Sequence, residues 1–252
     1  MPRDPIVTLV VPVYHEQDNI VSLFNEIQSA IQVPHQAIVI YDDDSDPTLY
    51  HRAAIVSNHA NVEFVKNFYG KGIVNAFKTG FALVETTYVV PIMADLSDMP
   101  ETVDRMYEKI VQGYDLVVAS RYIYGGAKIG GPVLKYVLSK IANISLHKLS
   151  GIPVHDMTNA FIMYRREVVN SINVQSTGGF EITMELIAKA HILGYRITEV
   201  PTINRDRSAG KSHFQLWKWM GSYLHWYFYT IKYSLLNSLM AQYRRDVRRE
   251  QS

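Results

Sequence analysis

Two short acidic runs, each directly behind an apolar run, hold the residues of this chain best suited to chemistry. The first is Ile38-Val39-Ile40-Tyr41 followed by Asp42-Asp43-Asp44-Ser45-Asp46. The second is Tyr88-Val89-Val90-Pro91-Ile92-Met93-Ala94 followed by Asp95-Leu96-Ser97-Asp98. Apolar runs of this length read as strands buried on both faces of a parallel sheet. Ligands of open α/β sheets sit beyond the carboxyl ends of such strands, so both acidic groups would face one site. Carboxylates crowded there repel one another unless a cation or a donor group binds them. A divalent metal carrying a nucleotide diphosphate accounts for both groups at once. Acidic turns that merely cap the following helices account for either one alone.

Alternating β and α elements would position these loops. Val7 to Val13 reads as the first strand, and Glu16 to Ile31 has helical spacing through Ile20, Leu23, Phe24 and Ile27. Ala37 to Tyr41 and Asn61 to Val65 are expected strands, with a helix from Pro47 to Ser57 capped by Asp46 between them. Gly70-Lys71-Gly72 opens a helix through Leu83, with Val74, Phe77 and Phe81 on its apolar face. A strand from Tyr88 to Met93, a helix with Pro100 at its first position, and a strand from Asp115 to Ala119 follow. This order predicts a mostly parallel sheet with helices on both faces. The glycine-rich stretch from Tyr124 to Pro132 reads as a mobile loop near the site.

Composition narrows the class. The chain has 252 residues, 48% of them hydrophobic, enough for one large core with an appendage. The net charge of +1 gives no reason to expect a nucleic-acid partner. Without cysteine, thiolate and disulfide chemistry are excluded. The first five residues run straight into a strand, so no signal peptide is expected. No apolar stretch is long enough to predict a membrane-spanning helix.

Several motifs in order make the pattern specific. Val10-Val11-Pro12-Val13-Tyr14-His15-Glu16, Tyr41 through Thr48, Gly70-Lys71-Gly72, Ala94-Asp95-Leu96-Ser97-Asp98 and Ala119-Ser120-Arg121-Tyr122 occur in succession. Asp156-Met157-Thr158-Asn159-Ala160-Phe161, Tyr164-Arg165-Arg166-Glu167, Gly194 through Pro201 and Asp206 through Ser212 complete the series. Over roughly residues 6 to 214 the chain resembles the inverting GT-A glycosyltransferases of family 2, particularly the polyprenyl-phosphate branch typified by dolichyl-phosphate mannose synthase. The resemblance implies a GT-A, Rossmann-like α/β sheet of about seven strands. It also implies a GDP- or UDP-linked sugar donor, Mg²⁺ or Mn²⁺, and a hexose transferred with inversion to polyprenyl or dolichyl phosphate. A donor site would draw on Pro12, Tyr14, Glu16, Asp43, Lys71, Asp95 and Lys211. One departure stands out, because Met93 occupies the place of the first Asp in the family's Asp-x-Asp metal motif. Asp95 matches the second, and Asp98 is the candidate for the missing carboxylate.

The chemistry assigns roles within that resemblance. A metal on Asp95 and Asp98 would neutralise the leaving diphosphate. Arg207 and Lys211 could reach the diphosphate or the acceptor phosphate, or simply sit on a solvated loop. Arg121, Lys135 and Arg207 would hold the acceptor phosphate, making Asp95, Arg121 and Arg207 the catalytic set. Hydroxyl-directed relatives usually carry a Glu-Asp pair at the start of a late helix. This chain has Phe180-Glu181-Ile182-Thr183 there. A phosphate acceptor needs no general base, since it is already largely ionised above its second pKa of about 6. With a hydroxyl acceptor, Glu181 is the candidate base. A transferase acting on a glycan hydroxyl and a nucleotide-sugar-binding pseudoenzyme, suggested by Met93, therefore stay open.

Residues 1–213 are expected to form the catalytic domain and 214–252 a membrane-associating appendage. Trp217, Trp219 and Trp226 are all the tryptophans of the chain and lie in this segment with Tyr223, Tyr227, Phe228, Tyr229 and Tyr233. Gln215, Lys218, Ser222, His225, Tyr229 and Lys232 recur at spacings that make a polar stripe on a helix. Such helices lie in the membrane interface, and Arg244, Arg245, Arg248 and Arg249 could meet anionic headgroups. A helix docked on the catalytic core or on a second subunit is the alternative. The expected location is the cytoplasmic face of a membrane, with the oligomeric state open.

Overall fold

The computed structural model describes residues 4–59, 61–206 and 216–250, and excludes the side chains of residues 135, 216–219, 238 and 241–250. The chain runs β1 (Val7–Val13), α1 (Ile20–Ala30), β2 (His35–Tyr41), a 3₁₀ turn (Pro47–His51), α2 (Arg52–Asn58), β3 (Val62–Lys66), α3 (Ile73–Leu83) and β4 (Tyr88–Pro91). It continues through α4 (Thr102–Ile110), β5 (Leu116–Ser120), β6 (Ala127–Ile129), α5 (Val133–Ser150), β7 (Ile162–Arg165) and α6 (Arg166–Ser171). α7 (Glu181–Ile192), β8 (Ile197–Pro201), β9 (Ile203–Arg205) and α8 (Leu216–Glu250) complete it.

Seven strands form one sheet in the order β3-β2-β1-β4-β7-β5-β8. Every neighbour pair is parallel except those made by β7, which runs antiparallel between β4 and β5. β1 pairs with β2 on one side and β4 on the other, so the acidic loops after β2 and β4 leave the same edge. β1, β4 and β5 are buried along their length because helices cover both faces, while the edge strands β3 and β8 are only partly buried. Val10, Phe77 and Ile162 belong to the core on one face, and Leu9, Phe24 and Met106 to the core on the other. α3 lies close against β1 at Gly80, where a Cβ would meet Val10 Cγ1 at 2.3 Å.

The structure differs from the sequence reading in several places. Asp46 does cap the turn after β2, accepting the Thr48 N–H at 2.9 Å. Pro100 lies before α4, whose N-cap is Glu101, rather than at its first position. The glycine-rich stretch holds a strand, since β6 pairs in parallel with β9 to make a second small sheet. α8 is one helix that packs on α5 and α7. Trp226, Thr230 and Ser234 are buried on its inner side, and Tyr227 hydrogen-bonds Ser145 of α5 at 2.8 Å. Docking on the core, which the sequence left as the alternative, thus holds for one face of α8. Leu224, Phe228, Leu235, Leu236, Leu239 and Met240 are exposed on the others. No helix among the described residues is long and apolar enough to cross a membrane.

Candidate active site

The site is built where β1, β2, β4 and β5 end and the chain enters β7. On the β2 side, Asp42 accepts Asn67 Nδ2 and the Gly72 N–H, each at 2.8 Å, tying the ends of β2 and β3 to the start of α3. Asp43 pairs with Lys71 Nζ at 2.8 Å and accepts both the N–H and the hydroxyl of Ser45. These donors, Lys71 foremost, hold the Asp43 carboxyl well below the usual carboxylate range. Tyr14 is exposed and stacks on His15 with ring centroids 4.4 Å apart. Glu16 accepts Asn19 Nδ2 at 2.8 Å, while its N–H donates to Thr48. Pro12 is buried within β1 opposite Ile40 and offers a ligand no side-chain surface.

On the β4 side, Asp95 and Asp98 are both buried. Asp98 Oδ2 accepts the Met93 N–H at 3.3 Å, and Oδ1 accepts Asn204 Nδ2 at 3.4 Å. Burial, and then the charge of Asp95, push the Asp98 carboxyl up to about 7. Leu96 between them adopts φ +60°, a conformation that costs a bulky residue of order 1–3 kcal/mol.

Arg121, at the exit of β5, is held by a buried fork. Its Nε and Nη2 donate to the two carboxylate oxygens of Asp156 at 2.7 and 2.8 Å, and Nη2 also to Thr158 at 3.0 Å. Burial opposes the charge of Arg121, but Asp156 more than offsets this and keeps it firmly protonated. Arg121 was expected to hold a phosphate outright. Its Nε and Nη2 donors are instead committed to Asp156 and Thr158, so a phosphate would meet only the remainder of the guanidinium. Asn143 of α5 links the same network, donating to Thr158 at 3.1 Å and accepting the Met157 N–H at 2.7 Å.

A cavity of about 510 Å³ joins the β4-side acids to the Arg121 network. Met93, Asp95, Asp98, Arg121 and Lys128 line one part of it, and Leu138, Ala142, Leu146, Met220 and Leu224 another. It is polar where the strands end and apolar between α5 and α8. Of the residues expected from sequence, Lys135 lies in the first turn of α5 with its side chain outside the described residues. Arg207 and Lys211 also lie outside the described residues.

The donor set suits a small divalent cation, though no cluster of three or more His, Asp or Glu side chains is poised for a metal among the described residues. Mg²⁺ needs only one or two carboxylates when phosphate oxygens complete its shell. Asp95 and Asp98, buried together at the cavity wall, meet that requirement. Glu181 does not suit the role of a base. Its two carboxylate oxygens accept the N–H groups of Gly178 and Gly179 at 3.0 and 2.7 Å, which closes the start of α7.

Known proteins bear on this arrangement. The family model described as glycosyl transferase family 2 matches residues 8–172. The chain belongs to that family. A dolichol-phosphate mannosyltransferase of Pyrococcus furiosus is 30% identical over 82% of this chain and 58% of its own length. A polyprenol monophosphomannose synthase of Mycolicibacterium smegmatis is 29% identical over 81% of this chain and 79% of that protein. The chain therefore spans well under two thirds of the Pyrococcus relative and most of the mycobacterial one. Among solved structures, glucosyl-3-phosphoglycerate synthase from Mycobacterium tuberculosis, in complex with Mn²⁺, UDP-glucose and phosphoglyceric acid, superposes with a TM-score of 0.65 at 18% identity. That match covers 91% of this chain and 79% of the other, and carries the GT-A fold alone.

Sequence reasoning quoted Asp156 and Asn204 only as parts of longer runs or passed them over, and gave Lys128 no role. The partners of Asp156 and Asn204 lie far away along the chain, and no local spacing signals such pairing.

Two outcomes follow from this geometry. Asp156→Ala strands the buried Arg121 charge and should cost about 3–5 kcal/mol in a urea unfolding curve. A loss below about 1 kcal/mol would mean that the pair is not buried as described. Glu181→Gln replaces an acceptor of two N–H groups and should cost about 1–3 kcal/mol of stability. Its turnover should stay within a few-fold of wild type; a drop of about 10²-fold or more would make Glu181 a base after all.

Proposed function

We propose that this protein transfers a hexose from a nucleotide sugar to polyprenyl phosphate, inverting the anomeric carbon. The observation that carries this reading is the two-part cavity, charged beside Asp95, Asp98 and Arg121 and apolar between α5 and α8. A lipid phosphate has the same two-part character. The relatives named for dolichol-phosphate and polyprenol substrates support the same choice. Glu181, locked by backbone amides, leaves the hydroxyl-acceptor alternative without its candidate base.

In this reaction a phosphate oxygen of the acceptor attacks C1 of the hexose. The C1–O bond to the diphosphate breaks, and the nucleoside diphosphate departs with the bonding pair. The acceptor is already deprotonated, so no proton has to be removed. Mg²⁺ or Mn²⁺ bound at Asp95 and Asp98 would supply charge neutralisation at the leaving diphosphate. Tyr14, Glu16, Asp43 and Lys71 border the nucleotide. Asp156 orients Arg121 beside the acceptor phosphate, and the sequence offers Lys135, Arg207 and Lys211 as further cations.

The exposed apolar residues of α8 have counterparts on α5, where Val133, Leu134, Val137, Leu138 and Ile141 are also exposed. Two adjacent helices presenting such residues form a surface that water does not favour. We infer peripheral attachment to a membrane through this surface, with the acceptor lipid entering between the two helices.

The test incubates the protein with Mn²⁺, a short polyprenyl phosphate and a panel of UDP- and GDP-hexoses, then assays the organic phase by mass spectrometry. A glycosylated lipid is expected, and Asp95→Ala should abolish it while leaving the thermal unfolding profile cooperative. Wild-type turnover in Asp95→Ala would remove the metal assignment; nucleotide release without lipid product would remove the acceptor. Leu134→Asp combined with Phe228→Asp should lower sedimentation with anionic vesicles by about tenfold, as expected when two apolar side chains leave an interface. Unchanged sedimentation would place the membrane contact elsewhere.

A further inference from the structure

The cavity holds a cation that the reading above does not use. Lys128 is half-buried in its wall, beside Arg121. Among the described residues Lys66, Lys71, Arg121, Arg165 and Lys189 each have a carboxylate within 4 Å, and Lys128 has none. Burial, and then the nearby Arg121, pull its ammonium below the usual lysine range, and the more distant Asp206, Asp156 and Asp95 carboxylates offset only part of this. A partly desolvated ammonium next to a second cation is unfavourable unless an anion is brought in.

The strand that carries Lys128 is firmly placed. The Ala127 N–H donates to Thr202 O at 3.0 Å, and the Asp206 N–H to Ile129 O at 2.8 Å. Lys128 pairs in register with Asn204, whose amide bonds both Asp98 and Ser97 O. The next residue, Arg205, donates its N–H to Ser97 O at 3.0 Å. A Cβ on Gly126 would sit 2.5 Å from Ser120 O, so the chain entering β6 passes in contact with the end of β5. β6 and β9 thus fix the ammonium relative to both the Asp95–Asp98 loop and Arg121.

We propose that Lys128 binds a phosphoryl oxygen of the acceptor and is a specificity-determining residue for a phosphate, as against an alcohol, at that position. The proposal rests on the lipid-phosphate reading of the cavity. Like charges face each other in pairs here: Asp95 with Asp98, which together call for a cation, and Arg121 with Lys128, which together call for an anion. Arg121 is forked onto Asp156, whereas Lys128 feels Asp206, Asp156 and Asp95 only from beyond ion-pair distance, so its ammonium is the cation free to meet an anion in the cavity. Tyr122, Tyr136 and Ser139 line the same cavity with Lys128, next to the apolar wall of α5. This neighbourhood fits the headgroup of a lipid better than the nucleotide, whose candidate contacts lie beyond β1 and β2.

Lys128→Ala and Lys128→Arg in the full chain test this, with cooperative unfolding checked first. One charge-assisted hydrogen bond lost to the acceptor corresponds to about a tenfold rise in acceptor KM for Lys128→Ala. Lys128→Arg should recover most of that loss, and nucleoside diphosphate affinity, read by calorimetry with Mn²⁺, should not change in either variant. An unchanged acceptor KM overturns the proposal. So does a parallel loss of nucleoside diphosphate affinity, which would put Lys128 on the donor. Should wild type yield no lipid product, direct binding separates the two ideas. Preference for a short polyprenyl phosphate over the matching polyprenol, lost in Lys128→Ala, supports the anion site without the reaction. Equal preference in both proteins sinks it.

Discussion

The site depends on one topological constraint, the antiparallel insertion of β7 between β4 and β5. Strands in a sheet lie about 4.8 Å apart, so β7 sets the exits of β4 and β5 roughly 10 Å from each other. That gap separates the Asp95 loop from Arg121. Because β7 runs the other way, the segment entering it, Asp156 to Phe161, arrives at the edge where β4 and β5 leave. Asp156 can therefore reach Arg121 across the gap, and Asn159 Nδ2 can donate to Ala119 O at 2.7 Å. An all-parallel sheet would place that segment at the opposite edge, and Arg121 would lose its counter-ion.

The alternation of strands and helices was legible in the sequence because buried parallel strands leave long apolar runs. Val7 to Val13 is recovered residue for residue. Boundaries slipped where polar residues belong to a strand, as at His35 and Gln36, or where a strand stops within an apolar run, as at Pro91. The three residues of β6 are too short to leave a period, and the glycines flanking them read as looseness. In the fold those glycines serve close approach: Gly126 passes against Ser120, and Gly130 at φ +84° packs on Asp206. The Arg121–Asp156 and Asp98–Asn204 contacts were invisible because they join residues far apart along the chain.

α8 shows why an amphipathic reading of a single helix is incomplete. The expected polar stripe includes His225 and Lys232, which are exposed, and Tyr229, which is partly buried. A two-faced helix has one apolar side, and sequence spacing cannot say whether it meets protein or lipid. This helix has apolar residues on more than one side, one packed on α5 and α7 and another facing outward. Its aromatic content exceeds what docking alone requires, and the surplus joins the exposed residues of α5.

The loop after β4 illustrates how a carboxylate missing from a sequence pattern can be returned in space. Met93 removes the first carboxylate of the Asp-x-Asp pattern. The positive φ of Leu96 turns the chain so that Asp98 folds back on this position, close enough to accept the N–H of Met93 itself. The replacement carboxylate sits deeper than a side chain at 93, which is half-buried, and burial with Asp95 beside it raises its proton affinity. Both penalties, desolvation and like-charge repulsion, would be relieved by a divalent cation held by these two residues. The strained turn at Leu96 fits the metal site proposed for Asp95 and Asp98. A turn serving only to cap α4 would have no need of two buried acids, since one exposed side chain caps a helix.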